Sequence, residues 1–238
     1  MLLLVSPTDV TEARAASEGG AAIIDVKNPL EGSLGANYPW VIEEIKNALP
    51  PQTILSATIG DIEGKPAAAS QAAFGLGKIG VNYIKAGLLV SKPVQAEIIA
   101  KAITKATENA SSKIILAAYA DYKNTGTISP QKLLEIAAKT GATGVMIDTY
   151  RKDGKTLFDH ITTAELKRFT NTAKTKNLIT ALAGTIQKSH IPRLKQINPD
   201  IIGIRSAACT KGDRNNGKIE KQKVEEFKRE MNKKGRVV

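Results

Sequence analysis

Two lysines and two aspartates stand where short apolar runs end, and their types suit chemistry on a carbonyl group. Asp25 and Lys27 lie two apart in AIIDVK (22–27). Residues two apart on an extended strand face the same way, so these two share one face while Ile24 and Val26 take the other. Lys85, in YIKAGLL (83–89), shares a face with Tyr83 and Gly87, and Asp148 closes GVMIDT (144–149). An inward lysine is costly to bury unless it is paired or functional. Burial lowers its pKa and frees a neutral amine to act as nucleophile or base. Two lysines beside two carboxylates therefore suit Schiff-base chemistry: one amine attacks a carbonyl, the other moves protons, and the carboxylates assist dehydration. A structural ion pair, Asp25–Lys27 or Asp148–Lys85, is the competing reading. Asp61 and Asp121, each just after an apolar run, complete the set of polar strand ends.

Later segments suit an anion. ALAGT (181–185) and GIRSAAC (203–209) end two further apolar runs. Gly184 lets backbone N–H groups approach a phosphate, with Thr185 beside it, and Arg205 is expected to clamp the anion. His190, at a predicted helix start, is a further candidate contact. KGDRNNGKI (211–219) supplies more donors before the last helix. The competing reading is that these glycines and asparagines only turn the chain. The loop NPLEGSLGANYP (28–39) is long and Gly-rich, and reads either as a cover over the substrate or as an ordinary irregular connection.

Positioning these residues takes a regular scaffold. Eight strand-like runs lie at 2–6, 22–27, 53–60, 83–89, 113–121, 144–149, 178–184 and 201–209. Most are nearly continuous apolar runs, as parallel strands buried on both faces require. Helix-like stretches fall near 8–18, 39–48, 67–79, 91–107, 129–140, 162–176, 189–196 and 219–234. Thr8 with Glu12, Ser129 before Pro130, Thr162 or Thr163, and Ser189 ahead of Pro192 read as helix starts, while Gly19-Gly20, Gly80 and Gly141 read as stops. Eight strand–helix units over residues 1–238 predict an α/β chain folded as a single (β/α)₈ TIM barrel, whose active site lies at the C-terminal strand ends. A doubly wound open sheet is the alternative, but no GxGxxG follows the first strand.

Composition narrows the function classes. Aromatic residues make up 4% of the 238 residues, so the core rests on Ala, Ile, Leu and Val. One cysteine, Cys209, forbids an intrachain disulfide and suits a reducing compartment. The opening MLLLVSP lacks a basic leader and a cleavage site, and no apolar run approaches the ~20 residues of a membrane helix, so a cytoplasmic location without membrane contact is expected. The net charge is +11, yet much of the excess lies in Lys218, Lys221, Lys223, Lys228, Arg229, Lys233 and Lys234, mixed with Glu220, Glu225, Glu226 and Glu230. That mixture reads as a solvated helix face, and the scarcity of aromatics argues against a nucleic-acid platform. His160 and His190 are not spaced as a metal site, His160 reads as structural and Cys209 as a small buried apolar residue. Barrels often associate, so a homo-oligomer is compatible with the sequence.

Several runs resemble one family. IIDVKNPLEGSLGANYPW (23–40), SATIGD (56–61), YIKAGL (83–88), IDTYRKDGKTLFD (147–159), ALAGTI (181–186), HIP (190–192) and RSAACTKGDRNNGKI (205–219) resemble the (5-formylfuran-3-yl)methyl phosphate synthase family of methanofuran biosynthesis. The resemblance spans nearly the whole chain. It implies a (β/α)₈ barrel, with no metal or organic cofactor, that condenses two molecules of glyceraldehyde 3-phosphate into a phosphorylated furaldehyde with loss of phosphate and water. It implies Lys27 as the Schiff-base lysine, Lys85 as the proton-transfer lysine, Asp25 and Asp148 as supporting carboxylates, and Lys152 as a further basic residue. Another class I aldolase-type barrel, sharing the lysine and phosphate site, is the alternative.

Overall fold

The computed structural model describes residues 1–233. Eight parallel strands close into a barrel in sequence order, with β8 pairing back onto β1. The strands are β1 (Leu2–Val5), β2 (Ile23–Val26), β3 (Ile54–Ile62), β4 (Tyr83–Leu88), β5 (Lys113–Tyr119), β6 (Gly144–Asp148), β7 (Ile179–Leu182) and β8 (Ile201–Ile204). The helices between and after them are α1 (Val10–Glu18), α2 (Pro39–Ala48), α3 (Pro66–Ile79), α4 (Pro93–Ala106), α5 (Tyr122–Thr125), α6 (Pro130–Thr140), α7 (Leu157–His160), α8 (Thr163–Thr175), α9 (Ile191–Ile197) and α10 (Lys221–Asn232). No helix among the described residues is long and apolar enough to cross a membrane.

Strand alternation sorts the side chains as the period of two requires. Ile24, Val26, Leu116 and Val145 pack outward with helix residues such as Ile42 and Ile99. Ile23, Ile115, Met146, Ala181 and Ile201 fill the barrel interior. Above this apolar floor, toward the C-terminal strand ends, the inward positions turn polar: Asp25, Lys85 and Asp148 are all buried. A barrel interior is a packed core, so these charges are held in a low-dielectric surround that magnifies each interaction among them.

Most helix signals act where the sequence puts them. Ser129 caps α6 by accepting the Lys132 N–H, and Thr162 caps α8 in a reciprocal box with Glu165. Two differ. Asp9, not Thr8, caps α1, because Thr8 instead donates its N–H and hydroxyl to the Glu12 carboxylate. Ser189 starts no α-helix; residues Lys188–His190 form a 3₁₀ turn and α9 begins at Ile191, with Pro192 in its first turn. β8 stops at Ile204 rather than 209, since Arg205 leaves extended geometry for a 3₁₀ turn. Asp61 lies within β3, beyond a register shift between Thr58 and Asp61, not after the strand. The predicted last helix stops at Asn232; Lys234 and the end of the predicted domain 1–238 lie outside the described residues.

Candidate active site

The two carboxylates are paired crosswise, in neither of the ways the sequence suggests. The Lys85 ammonium donates to Asp25 Oδ2 at 2.5 Å, and the Ser6 hydroxyl donates to the same oxygen at 3.0 Å. Lys152, four residues after Asp148, donates to its Oδ1 at 2.8 Å and to Thr149 Oγ1 at 3.0 Å. Asp148 Oδ1 also accepts the Thr149 N–H at 2.7 Å. Burial alone would raise the Asp148 pKa, but the charges of Lys152 and Lys27 outweigh it and hold the group at about 2. The carboxylate is therefore ionised at any working pH.

Lys27 is left without a carboxylate of its own. It is 6% exposed, and the one hydrogen bond of its amine among the described residues runs to the Ser33 carbonyl at 3.3 Å. Burial pulls its pKa down from 10.5 to about 7, against the pull of Asp148 and with help from Lys85, Lys152 and Arg214. A count of charges gives the reason. Lys85, Lys152 and Arg214 already outnumber Asp25 and Asp148, so a fourth cation in a dry site is unfavourable. The result is a primary amine of which roughly half is uncharged at neutral pH, the form a carbonyl nucleophile needs. Asp25 Oδ1, fully buried, has no hydrogen-bond partner among the described residues, and neither does Ser56 Oγ at the register-paired position on β3. A buried carboxylate oxygen left free is an acceptor waiting for a substrate hydroxyl or water.

The loop after β2 packs into the mouth of the barrel as a plug. Leu34 is fully buried among the interior residues, its N–H donating to Asp61 at 3.1 Å and its carbonyl accepting from the Thr58 hydroxyl at 2.6 Å. Ser33 Oγ reaches across to the Thr149 carbonyl at 2.8 Å. Tyr119 donates its hydroxyl to Asp61, so β3 and β5 hold the loop together. Burial raises the pKa of both groups, which keeps the phenol protonated as the donor. This fixes the Ser33 carbonyl against which the Lys27 amine rests. Tyr119 is not among the sequence candidates, but a signal is present: a Cβ at Gly87 would lie 2.1 Å from the Tyr119 hydroxyl. A glycine inside a strand often marks such a close approach. Asp121 faces elsewhere, its carboxylate accepting the Tyr150 and Arg151 N–H groups at 2.8 and 2.9 Å.

Across the mouth, β7 and β8 border the small cavity that contains Lys27, of about 30 Å³. Gly184 and Thr185 both adopt positive φ, +109° and +50°. That is routine for glycine but uncommon for threonine, and such residues cluster at ligand sites. Neither gives its N–H to another described residue, and both line the cavity. Two sequence candidates sit differently. Arg205 points its guanidinium at Glu12, 2.8 Å away in a fully buried ion pair, and at the Ser6 carbonyl, so it braces β1 and α1 against β8 instead of standing free for a phosphate. His190 lines neither mouth cavity; its Nδ1 accepts the Gln187 N–H and its ring packs on Phe158. Replacing Arg205 with leucine should lower stability by about 3–5 kcal/mol, because Glu12 is left buried and unpaired. Denaturant midpoints with steady-state kinetics check this; an unchanged midpoint with a raised KM would return Arg205 to the anion site. Arg205 still lines the cavity with Lys27, but the guanidinium there without a carboxylate partner among the described residues is Arg214, whose Nη2 reaches the Gly32 carbonyl at 3.4 Å.

These features can be set beside known proteins. A family model described as 4-HFC-P synthase matches residues 3–228. The chain belongs to the 4-HFC-P synthase family. Members of that family named (5-formylfuran-3-yl)methyl phosphate synthase include one from Methanococcus maripaludis, 49% identical over 230 residues and covering 95% of this chain and 98% of the relative. Another, from Methanocaldococcus jannaschii, is 48% identical over 231 residues, covering 96% and 98%. Among solved structures, KGPDC from Streptococcus mutans superposes with a TM-score of 0.67 at 13% identity, over 97% of this chain and 96% of that one. That likeness carries the TIM-barrel fold of the 4-HFC-P synthase chain and nothing finer.

Proposed function

We propose that this chain is a lyase-type synthase that joins two molecules of glyceraldehyde 3-phosphate into (5-formylfuran-3-yl)methyl phosphate, the furan precursor of methanofuran, through an imine on Lys27. The atoms balance: two triose phosphates equal the furan phosphate plus one orthophosphate and two waters, with no oxidant or reductant. The observation that carries the reading is the isolation of Lys27, an amine held near neutrality by burial while each carboxylate is claimed by another lysine. The names of the relatives support the product.

In this reading the Lys27 lone pair attacks the aldehyde carbon of the first triose, and the carbonyl oxygen leaves as water once protonated. The iminium that forms is a cation, and Asp148, ionised and close enough to act on Lys27, offsets its charge. The loss of a proton next to the iminium gives the carbon nucleophile that meets the second aldehyde. Lys85 with Asp25, and Lys152 with Asp148, are the acid–base pairs available for these transfers and for the dehydrations. The backbone N–H groups at Gly184 and Thr185 hold a phosphate of the substrate.

Incubation with glyceraldehyde 3-phosphate, followed by mass and ultraviolet analysis, tests the proposal. A product with furaldehyde absorbance and one phosphate per two trioses is expected. A six-carbon product retaining both phosphates, without that absorbance, would instead make the chain a class I aldolase. The pH dependence follows from Lys27. The amine is the reactive form, so the rate of borohydride-trapped adduct formation should rise through about pH 7 and fall roughly tenfold per unit below it. A profile centred near 10 would mean that the lysine titrates like an exposed one.

A further inference from the structure

The motif KGDRNNG is the most distinctive run not used by the reaction as described, and the structure shows what it builds. The segment leaves a single antiparallel bridge between Cys209 and Ile219 and is tied internally. Thr210 donates its N–H to the Lys218 carbonyl at 2.9 Å, and Asp213 accepts the N–H groups of Asn215 and Asn216 at 2.9 and 3.1 Å. A Cβ at Gly217 would lie 2.5 Å from two carbonyl oxygens, so glycine is required for the loop to close on itself. The Arg214 carbonyl is held at 2.6 Å by Arg205 Nε, itself anchored on Glu12. The loop is thus a rigid arm with Arg214 at its tip.

Arg214 stands between two connected cavities. The inner one holds Lys27; the outer, about 680 Å³ and open to solvent, shares Lys152, Thr185, Ser206 and Arg214 with it. The other basic residues of the outer cavity are committed: Lys188 to Glu226 at 2.8 Å, Lys223 to Glu220 at 3.3 Å and Lys152 to Asp148. Arg214 has no carboxylate within 4.0 Å among the described residues, and burial lowers its pKa. A partly buried guanidinium with no counter-ion, aimed at a cleft, is a site for an external anion.

We propose that Arg214 and the outer cavity seat the phosphate of the second triose, while the inner cavity holds the triose bound to Lys27. This rests on the two-substrate reading above. A reaction between two copies of one phosphorylated aldehyde needs two anion sites of unequal depth. The inner site meets its phosphate with backbone N–H groups at Gly184 and Thr185, and the outer with the planar fork of one arginine. The arginine spans both cavities, so it brings the second aldehyde toward the carbon nucleophile formed on the first.

The test separates the two sites. Borohydride trapping on Lys27 reads the first triose alone; furan formation reads both. Read at pH 9, where Lys27 is uncharged with or without the Arg214 charge beside it, half-saturation for trapping in Arg214→Gln and Arg214→Lys should stay within about twofold of the unsubstituted enzyme. Half-saturation for furan formation should rise about 10- to 100-fold in the glutamine variant, and less in the lysine variant, which keeps the charge but loses the fork. Equal rises in both readouts, or no rise in either, overturn the assignment. Calorimetric titration with inorganic phosphate needs no turnover. Two binding events are expected in the unsubstituted enzyme, with the one missing in Arg214→Gln being the site at the arm. If both events survive in Arg214→Gln the proposal is wrong even where trapping has failed, and a single lost event with an unchanged melting curve supports it.

Discussion

Replacing Lys27 with methionine should lower turnover by on the order of 10⁴-fold or more while leaving the melting temperature unchanged or slightly raised. The two halves of that expectation have one cause. About half of Lys27 is uncharged at pH 7 because the side chain is buried, with only the Ser33 carbonyl, at 3.3 Å, to receive its proton. An amine that must shed its proton to be buried is a stability cost, and methionine fills the same volume without it. The sign over pH is definite. The folded-state pKa, about 7, lies below the unfolded value of 10.5, so below pH 10.5 the unfolded chain binds the extra proton and is favoured. That cost grows as pH falls toward 7 and then levels off, and Lys27→Met should remove it. Thermal melts of the two proteins between pH 7 and 10 would show a gap that closes as pH rises. A variant that melts well below the parent at every pH would mean that the lysine is a structural partner, and its lost activity would then say nothing about an imine.

Lys85→Met should fail differently, losing activity and stability together. Here the lysine is the counter-ion: Lys85 and Asp25 are 3% and 0% exposed and 2.5 Å apart. Removing one member of such a buried pair leaves an uncompensated charge and costs about 3–5 kcal/mol. For a chain of this size that is a drop of roughly 6–20 °C in melting temperature. Adding Asp25→Asn should restore most of the stability, since the remaining amide carries no charge, but should restore none of the turnover. Melting curves and initial rates on the three proteins make the comparison. Recovery of both properties in the double variant would place the pair outside the chemistry.

The contrast between these lysines marks the limit of what the chain reveals before folding. Strand periodicity places Asp25, Lys27, Lys85 and Asp148 on the inner face near the barrel's mouth, and a period of two is enough for that, because a parallel strand buried on both sides has no other freedom. It does not say which lysine meets which carboxylate. That depends on the stagger between strands and on side-chain reach, which bring Lys85 across to Asp25 and let Lys152 fold back on Asp148. Lys152 has no strand to announce it and is reached only through the resemblance. Arg205 misleads for a related reason. A positively charged residue after β8 suits an anion by position, but its true partner, Glu12, lies on α1, 193 residues earlier in sequence. In the sequence Glu12 stands out only as a helix-start residue. Tyr119 and Leu34, apolar or nearly so, look like ordinary core and loop, and their work is visible only once Asp61 is seen between them.

The plug formed by Leu34 divides the rim of the barrel into a frame and a doorway. On the side of β3 to β5 the loop is fastened through Asp61, Thr58 and Tyr119, and its Gly32 carbonyl meets the tip of the arm. The cavity that holds Lys27 and the outer one beside it open on the opposite side, along the ends of β6, β7 and β8. On the proposed reaction, the triose that enters first lies deepest, and the joined product leaves by the way its second half arrived. Relatives that accept differently shaped aldehydes should accordingly differ in the segments after β6, β7 and β8, while changes on the framed side should alter the rate of reaction and leave the choice of substrate alone.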